Sequence, residues 1–235
     1  MKPDPLSVAI ALLVEAALVA ALTGLALRGR WRQLLAFTAY LAAVLTGNIL
    51  ITWWPERFWV LSFWVVKEAT YAALLLGVVL ELAWLTFRPF RGAATTARRM
   101  ILVALLLLAA LLALAPARDS AHLAAAGELL PRFATITVWL LAGVLALAHW
   151  YRVPWDRFHL SVAWSLVAHM TVFGVLLRLE GIHGWAAQVY LNALDPPAYL
   201  ALTSWWAWVA WRPEPVGADA RQHLLEDLGF EGGRA

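Results

Sequence analysis

Four ionisable side chains stand deep inside apolar runs: Glu15, the adjacent Lys67 and Glu68, and Asp195. A charge at bilayer depth costs at least about 2.5 to 3.5 kcal/mol on insertion scales, so each marks a site for a ligand, an ion or a proton. Counted at ~1.5 Å per residue, Glu15, Lys67, Glu68 and Asp195 lie about 15 Å into their segments from one side, and His169 reaches that level from the other. Tyr71, Asn48, Tyr190 and Asn192 are close enough in depth to join them. Lys67 is the one ammonium among three carboxylates, which leaves at least one acid protonated or unpaired and ready to exchange a proton. The same set also reads as a buried ion-pair network that fixes helix register and does nothing else.

Helical spacing sorts these groups further. Phe63, Lys67, Thr70, Tyr71 and Glu81 fall within roughly a 100° arc at 3.6 residues per turn, the face expected to line the bundle interior. Glu68 projects away from that arc and is expected to meet a different helix, and Glu81 reads as a snorkelling acid near the loop arginines. Pro196 and Pro197 follow Asp195 and remove two backbone donors, so the last segment should be interrupted and kinked there. The string Asp195-Pro196-Pro197-Ala198-Tyr199 resembles the (N/D)PxxY element of the seventh helix in rhodopsin-like G-protein-coupled receptors, and with no DRY triplet after the third segment it is read as a convergent kink. His149 and His159 flank one turn and read as polar caps, so no metal site is assigned.

Other seven-helix chemistries lack their residues. The last segment has no lysine for a retinal Schiff base and no paired histidines for a zinc hydrolase, there is no Pro-Gln dipeptide of the sugar-transporter kind, and the GxSG and GxGD protease motifs are missing. Cysteine is absent, which excludes disulfides, thiolate catalysis, iron–sulfur clusters and Cys-ligated zinc. No cofactor is assigned, and the chain leans away from being an enzyme.

The elements that must carry these residues are apolar runs long enough to cross a bilayer. They are Leu6 to Leu27, Leu34 to Trp54, Phe58 to Phe87, Met100 to Ala115, Phe133 to Tyr151, Phe158 to Leu179 and Trp185 to Trp211. The fourth, without a polar side chain, belongs at the lipid-facing rim. In the first, Ala16, Ala20 and Gly24 form a small-residue stripe that lets a neighbouring backbone come close. The connection from Asp119 to Pro131 either lies on the surface or extends the fifth helix. Of 235 residues 63% are hydrophobic and 14% charged, against roughly 45–50% and about 25% in a soluble domain. One seven-helix membrane domain, residues 1–211, therefore takes up almost the whole chain, followed by a tail at 212–235 with an amphipathic stretch at Ala218 to Leu228.

Twelve lysines and arginines fall in the connections of one side and in the tail, against five on the other. Positive residues are retained in the cytoplasm, so the N-terminus is expected outside and the C-terminus inside. The net charge of +3 is spread over segment ends, a distribution suited to anionic headgroups and not to nucleic acid. Most of the fifteen tryptophans belong to interfacial belts, with Trp53, Trp54, Trp59 and Trp185 outside and Trp31, Trp84, Trp150, Trp155, Trp205, Trp206, Trp208 and Trp211 inside. Trp64, Trp139 and Trp164 fall deeper. A Trp-rich segment could also stack a haem or a quinone. The arginine and alanine bias points to a bacterial inner (cytoplasmic) membrane.

The expected protein is an all-α polytopic membrane bundle, a receptor-like sensor or small-ligand-binding module. Its ligand or proton site comprises Glu15, Lys67, Glu68, Tyr71, His169 and Asp195, open to the outside, with Pro196 and Pro197 as the kink. A proton-coupled transporter and a structural subunit of a larger membrane complex are the alternatives. Its partners are the lipid bilayer and a cytoplasmic or membrane protein that receives the output.

Overall fold

The computed structural model describes residues 5–87, 121–150 and 155–213 together with Arg99, Val103 and Val153, the side chains at 87, 121–132, 181 and 185–188 excepted. The expected fourth segment and the amphipathic stretch of the tail lie outside the described residues. Every element described is helical: α1 (Pro5–Leu27), a 3-10 turn (Arg30–Arg32), α2 (Leu35–Trp53), the single turn α3 (Pro55–Phe58), α4 (Leu61–Phe87), α5 (Ala121–Trp150), α6 (Arg157–His183) and α7 (Trp185–Trp211). Five of these helices, α1, α2, α4, α5 and α6, are long and apolar enough to cross a membrane. At 27 residues α7 has the length, but it carries Asn192, Asp195 and two prolines and is not among the five. The connection before Pro131 belongs to α5, the second of the two arrangements its sequence allows.

The six long helices form a ring. Helix α1 packs on α2, α2 on α4, α4 on α5, α5 on α6, α6 on α7, and α7 returns to α1 in the most extensive contact of all. That closing contact follows from Gly24: a Cβ there would lie 3.0 Å from both the Ala210 Cβ and the Trp211 ring. The Trp211 indole N–H donates to the Ala20 carbonyl at 2.9 Å. Close approach of backbones is what drives helix association where lipid tails are as apolar as the side chains. Ala16, the third member of the stripe, is exposed and takes no part.

Helices α1 and α7 end together, and arginines tie them. The Arg30 guanidinium, 5% exposed, donates to the carbonyls of Val209 and Arg212, both at 2.9 Å, and lies 5.2 Å from the Phe158 ring centroid. Arg28 donates to the Trp211 carbonyl at 3.2 Å. The last carbonyls of a helix have no intrahelical donor and carry partial negative charge, so guanidinium groups satisfy both the hydrogen bonds and the dipole. This end of the bundle is called the arginine end below.

Glu81 caps another helix. Its two carboxylate oxygens accept the Leu35 and Ala36 amides at 2.7 and 2.9 Å, at the start of α2, where the N-cap residue Leu34 has no side-chain hydrogen bond to offer. The snorkelling role expected of Glu81 gives way to this one, because two free amides at a helix N-terminus hold a carboxylate better than water at the interface.

The core is asymmetric in α4 and α7, while Val14, Ala134 and Leu176 carry it into the far halves of α1, α5 and α6. Leu18, Leu25, Phe37, Leu41, Val78, Leu82, Val162, Leu166, Trp206 and Ala210 are buried, all on the halves of their helices nearer the arginine end. No residue of α4 before Leu75 and no described residue of α7 before Leu202 is buried. Trp206, expected in a belt, belongs to this core at 2% exposure. It meets Phe37 edge-on at 5.2 Å, and its indole N–H donates to the Ser165 hydroxyl at 2.8 Å. Trp139 and Trp164, expected deeper, are exposed, and their rings sit on the outer wall of the ring of helices. Helix α7 continues through Pro196 and Pro197 without a break. The expected interruption does not occur, proline's fixed φ lying within the helical range.

Candidate functional site

The first half of α4, where no residue is buried, holds Lys67 and Glu68. On α4, Trp64, Lys67 and Tyr71 recur at intervals of three and four, so their side chains stack one above another. The Lys67 Nζ lies 3.6 Å from the Trp64 ring centroid and 5.4 Å from that of Tyr71. An ammonium over an indole face is attracted by the ring quadrupole. Glu68 completes the shell: its Oε1 is 2.9 Å from Nζ, with side-chain exposures of 9% for Lys67 and 32% for Glu68. This differs from the expectation that Glu68 would meet another helix. Neighbouring residues diverge at Cβ, but both stems are long enough for their ends to converge.

Tyr71 anchors the cluster to α2. Its hydroxyl donates toward the carbonyls of Ala43 and Val44, at 3.4 and 3.3 Å, in a notch left by Gly47, where a Cβ would collide with the Tyr71 oxygen. Beyond it an aromatic train crosses the bundle. Tyr71 meets Tyr40 edge-on at 6.3 Å, Tyr40 meets Trp206 edge-on at 6.3 Å, and the Tyr40 hydroxyl lies beside that of Tyr199. Tyr199 in turn meets the His169 ring at 5.4 Å, and His169 stacks on Phe173 at 6.2 Å. Glu68 is within electrostatic reach of Tyr71 and Tyr40, and Asp195 of Tyr199.

Of the six residues expected to gather, Lys67, Glu68 and Tyr71 are in direct contact, and His169 is joined to them only through Tyr40 and Tyr199. Neither Glu15 nor Asp195 forms an ion pair with Lys67 among the described residues. Measured from the arginine end at ~1.5 Å per residue, Glu15, Gly47 beside Lys67, and His169 share a level of roughly 18 Å, while Asp195 lies about one turn further out, at roughly 24 Å. Among the described residues, the buried Glu15 Oε1, His169 Nδ1 and Tyr199 hydroxyl make no hydrogen bond of good geometry. Such groups are rare in a folded interior, and each asks for an explanation. Tyr190 is exposed, as is Asn192. Of the two histidines at the other turn, His149 is exposed, and His159 lies 3.8 Å from the Asp156 carboxylate. Among the described residues no three His, Asp or Glu side chains converge as metal ligands.

Trp64, Tyr40, Tyr199 and Gly47 are the members that sequence reasoning passed over. The Trp64, Lys67, Tyr71 spacing was readable on a helix, and three of the five tyrosines belong to the train. The glycine notch had no such signal, since only the partner helix reveals it. The chain matches no protein-family model, no curated protein and no solved structure.

Proposed function

We propose that the chain is a multi-pass protein of a bacterial cytoplasmic membrane, N-terminus outside, working as a receptor-like small-ligand-binding module. The observation that carries this reading is the Lys67–Glu68 pair, held between Trp64 and Tyr71 on the half of α4 that has no buried residue. An ion pair with its cation nine-tenths covered and its anion a third exposed is preorganised for an amphoteric ligand. The ligand's carboxylate takes Lys67, its ammonium takes Glu68, and the aromatic rings enclose it. The sensor then has two bundle states of different ligand affinity, and its output passes to a partner protein.

The test is a thermal-shift measurement on the full chain in nanodiscs against a panel of L-amino acids and betaines. At least one should raise the midpoint, since a ligand that binds the folded state stabilises it by mass action. The shift should vanish in Lys67→Met/Glu68→Gln, a variant that keeps volume and removes both charges. No shift with any member, or an equal shift in the variant, overturns the reading.

A second reading, a proton-coupled transporter, is supported by the unpartnered Glu15 Oε1 and by Asp195 beside the paired prolines. It requires coupled proton flux in proteoliposomes that Asp195→Asn abolishes.

A further inference from the structure

Between α6 and α7, on the outer wall of the ring, runs an open groove of about 620 Å³ lined by Trp164, Ala168, His169, Val172, Ala201 and Trp205, among others. Its size falls in the range of sites for drug-sized ligands, roughly 300–1,000 Å³. Most of the lining is what a lipid-facing surface requires. Trp164 is 57% exposed and Trp205 43%, one on each wall, and the aliphatic positions between them suit an acyl or isoprenoid chain.

His169 does not fit a purely lipid-facing groove. An acyl chain asks nothing of an imidazole, and an imidazole without a partner is costly in an apolar medium. Its Nδ1 is covered by protein and has no hydrogen-bond partner, and the residue is one of those that line the groove. Orphaned N–H donors are rarer in protein interiors than under-satisfied acceptors. The tautomer with a bare Nδ1 is therefore preferred, and it places the N–H on Nε2. What is missing is an acceptor roughly 18 Å from the arginine end. Phospholipid esters and phosphates sit at the interface and do not reach that depth. A ring carbonyl on an isoprenoid tail does.

We propose that this groove binds a lipid-soluble quinone, its ring lying between the Trp164 and Trp205 indoles and His169, one carbonyl accepting from the imidazole and the tail running along the groove into lipid. The site stands apart from the Lys67–Glu68 pair and does not depend on the function proposed for it.

The test uses the full chain in nanodiscs with decylubiquinone as probe and decylbenzene, which has no carbonyl, as its control, bound ligand being extracted and quantified across a free-concentration series. Decylubiquinone should bind saturably and at least tenfold more tightly than decylbenzene. His169→Leu should weaken it at least tenfold, and Ala201→Phe, which fills the groove from an exposed position, should abolish it with the thermal midpoint unchanged. Equal binding of the two probes would show a groove that takes hydrocarbon alone, and wild-type affinity in His169→Leu or Ala201→Phe would show that the quinone binds elsewhere. Either result overturns the proposal.

Discussion

At the scale of single residues, the notch at Gly47 decides whether the cluster can assemble. Replacing a helical glycine by alanine ordinarily gains about 0.5–1 kcal/mol, whereas forcing extra volume into a packed contact loses about 1–3 kcal/mol. The added methyl would meet the Tyr71 oxygen directly, so the second effect wins. Gly47→Ala should lower the thermal midpoint in detergent, and adding Tyr71→Phe, which deletes the clashing atom, should recover much of the loss. Additive effects in that double-mutant cycle would place Tyr71 outside the notch. Lys67→Met poses a related question about charge. Breaking a fully buried pair loses about 3–5 kcal/mol, but Glu68 is a third exposed, which brings the expected loss to about 1–3 kcal/mol. Lys67→Met/Glu68→Gln should be more stable than Lys67→Met alone. A double variant no better than the single one would mean that Glu68 is already solvated by water.

At the scale of elements, the helix ends depend on side chains distant in sequence. Helix α2 begins at Leu34, which cannot cap it, and a carboxylate from α4 does so. Glu81→Gln keeps one acceptor but loses the charge that complements the helix dipole, while Glu81→Leu loses both. Their destabilisation should rank in that order, with about 0.5–2 kcal/mol for the larger. Amide exchange at Leu35 and Ala36 should accelerate in both. Unchanged exchange there would remove Glu81 from its capping role. Arg30 serves the other terminus, where its planar fork spans the carbonyls of Val209 and of Arg212, the C-cap of α7. Arg30→Lys retains the charge and loses the two-pronged geometry, so it should lower the midpoint and loosen α7 from α1, read as faster proteolysis near Arg212. An Arg30→Lys protein as protease-resistant as wild type would show that charge alone suffices.

At the scale of the whole molecule, orientation is the question with most consequence for the site, because the Lys67–Glu68 pair lies on the half of α4 away from the arginine end. Introduced cysteines decide it, as the native chain has none. Arg57→Cys and His183→Cys should react with an impermeant maleimide on intact cells, and Arg32→Cys should not. These positions are exposed and avoid both the buried Arg30 and Gly184, whose φ of 60° suits glycine. Labelling in the reverse pattern would turn the site toward the cytoplasm and remove the basis for an external ligand.

What the sequence determined by itself is what depends on composition and local spacing. Long runs of predominantly apolar residues define helices in lipid, because a backbone there must satisfy its own hydrogen bonds, and the boundaries of α1, α2, α4, α6 and α7 follow from them to within a few residues. Stacking of Lys67 with Tyr71 was legible for the same reason, as a consequence of 3.6 residues per turn. Tertiary structure decided which depth-matched groups meet. Glu15, Lys67, His169 and Asp195 have similar depths along their helices, but depth leaves rotation about each helix axis and the order of helices around the ring open. Those are set by close approaches such as Gly24 to Ala210 and Gly47 to Tyr71, which involve pairs of residues far apart in the chain. The same approaches took Trp206 into the core, turned Arg30 and Glu81 into caps, and left His169 in the wall of a groove without a partner for its Nδ1.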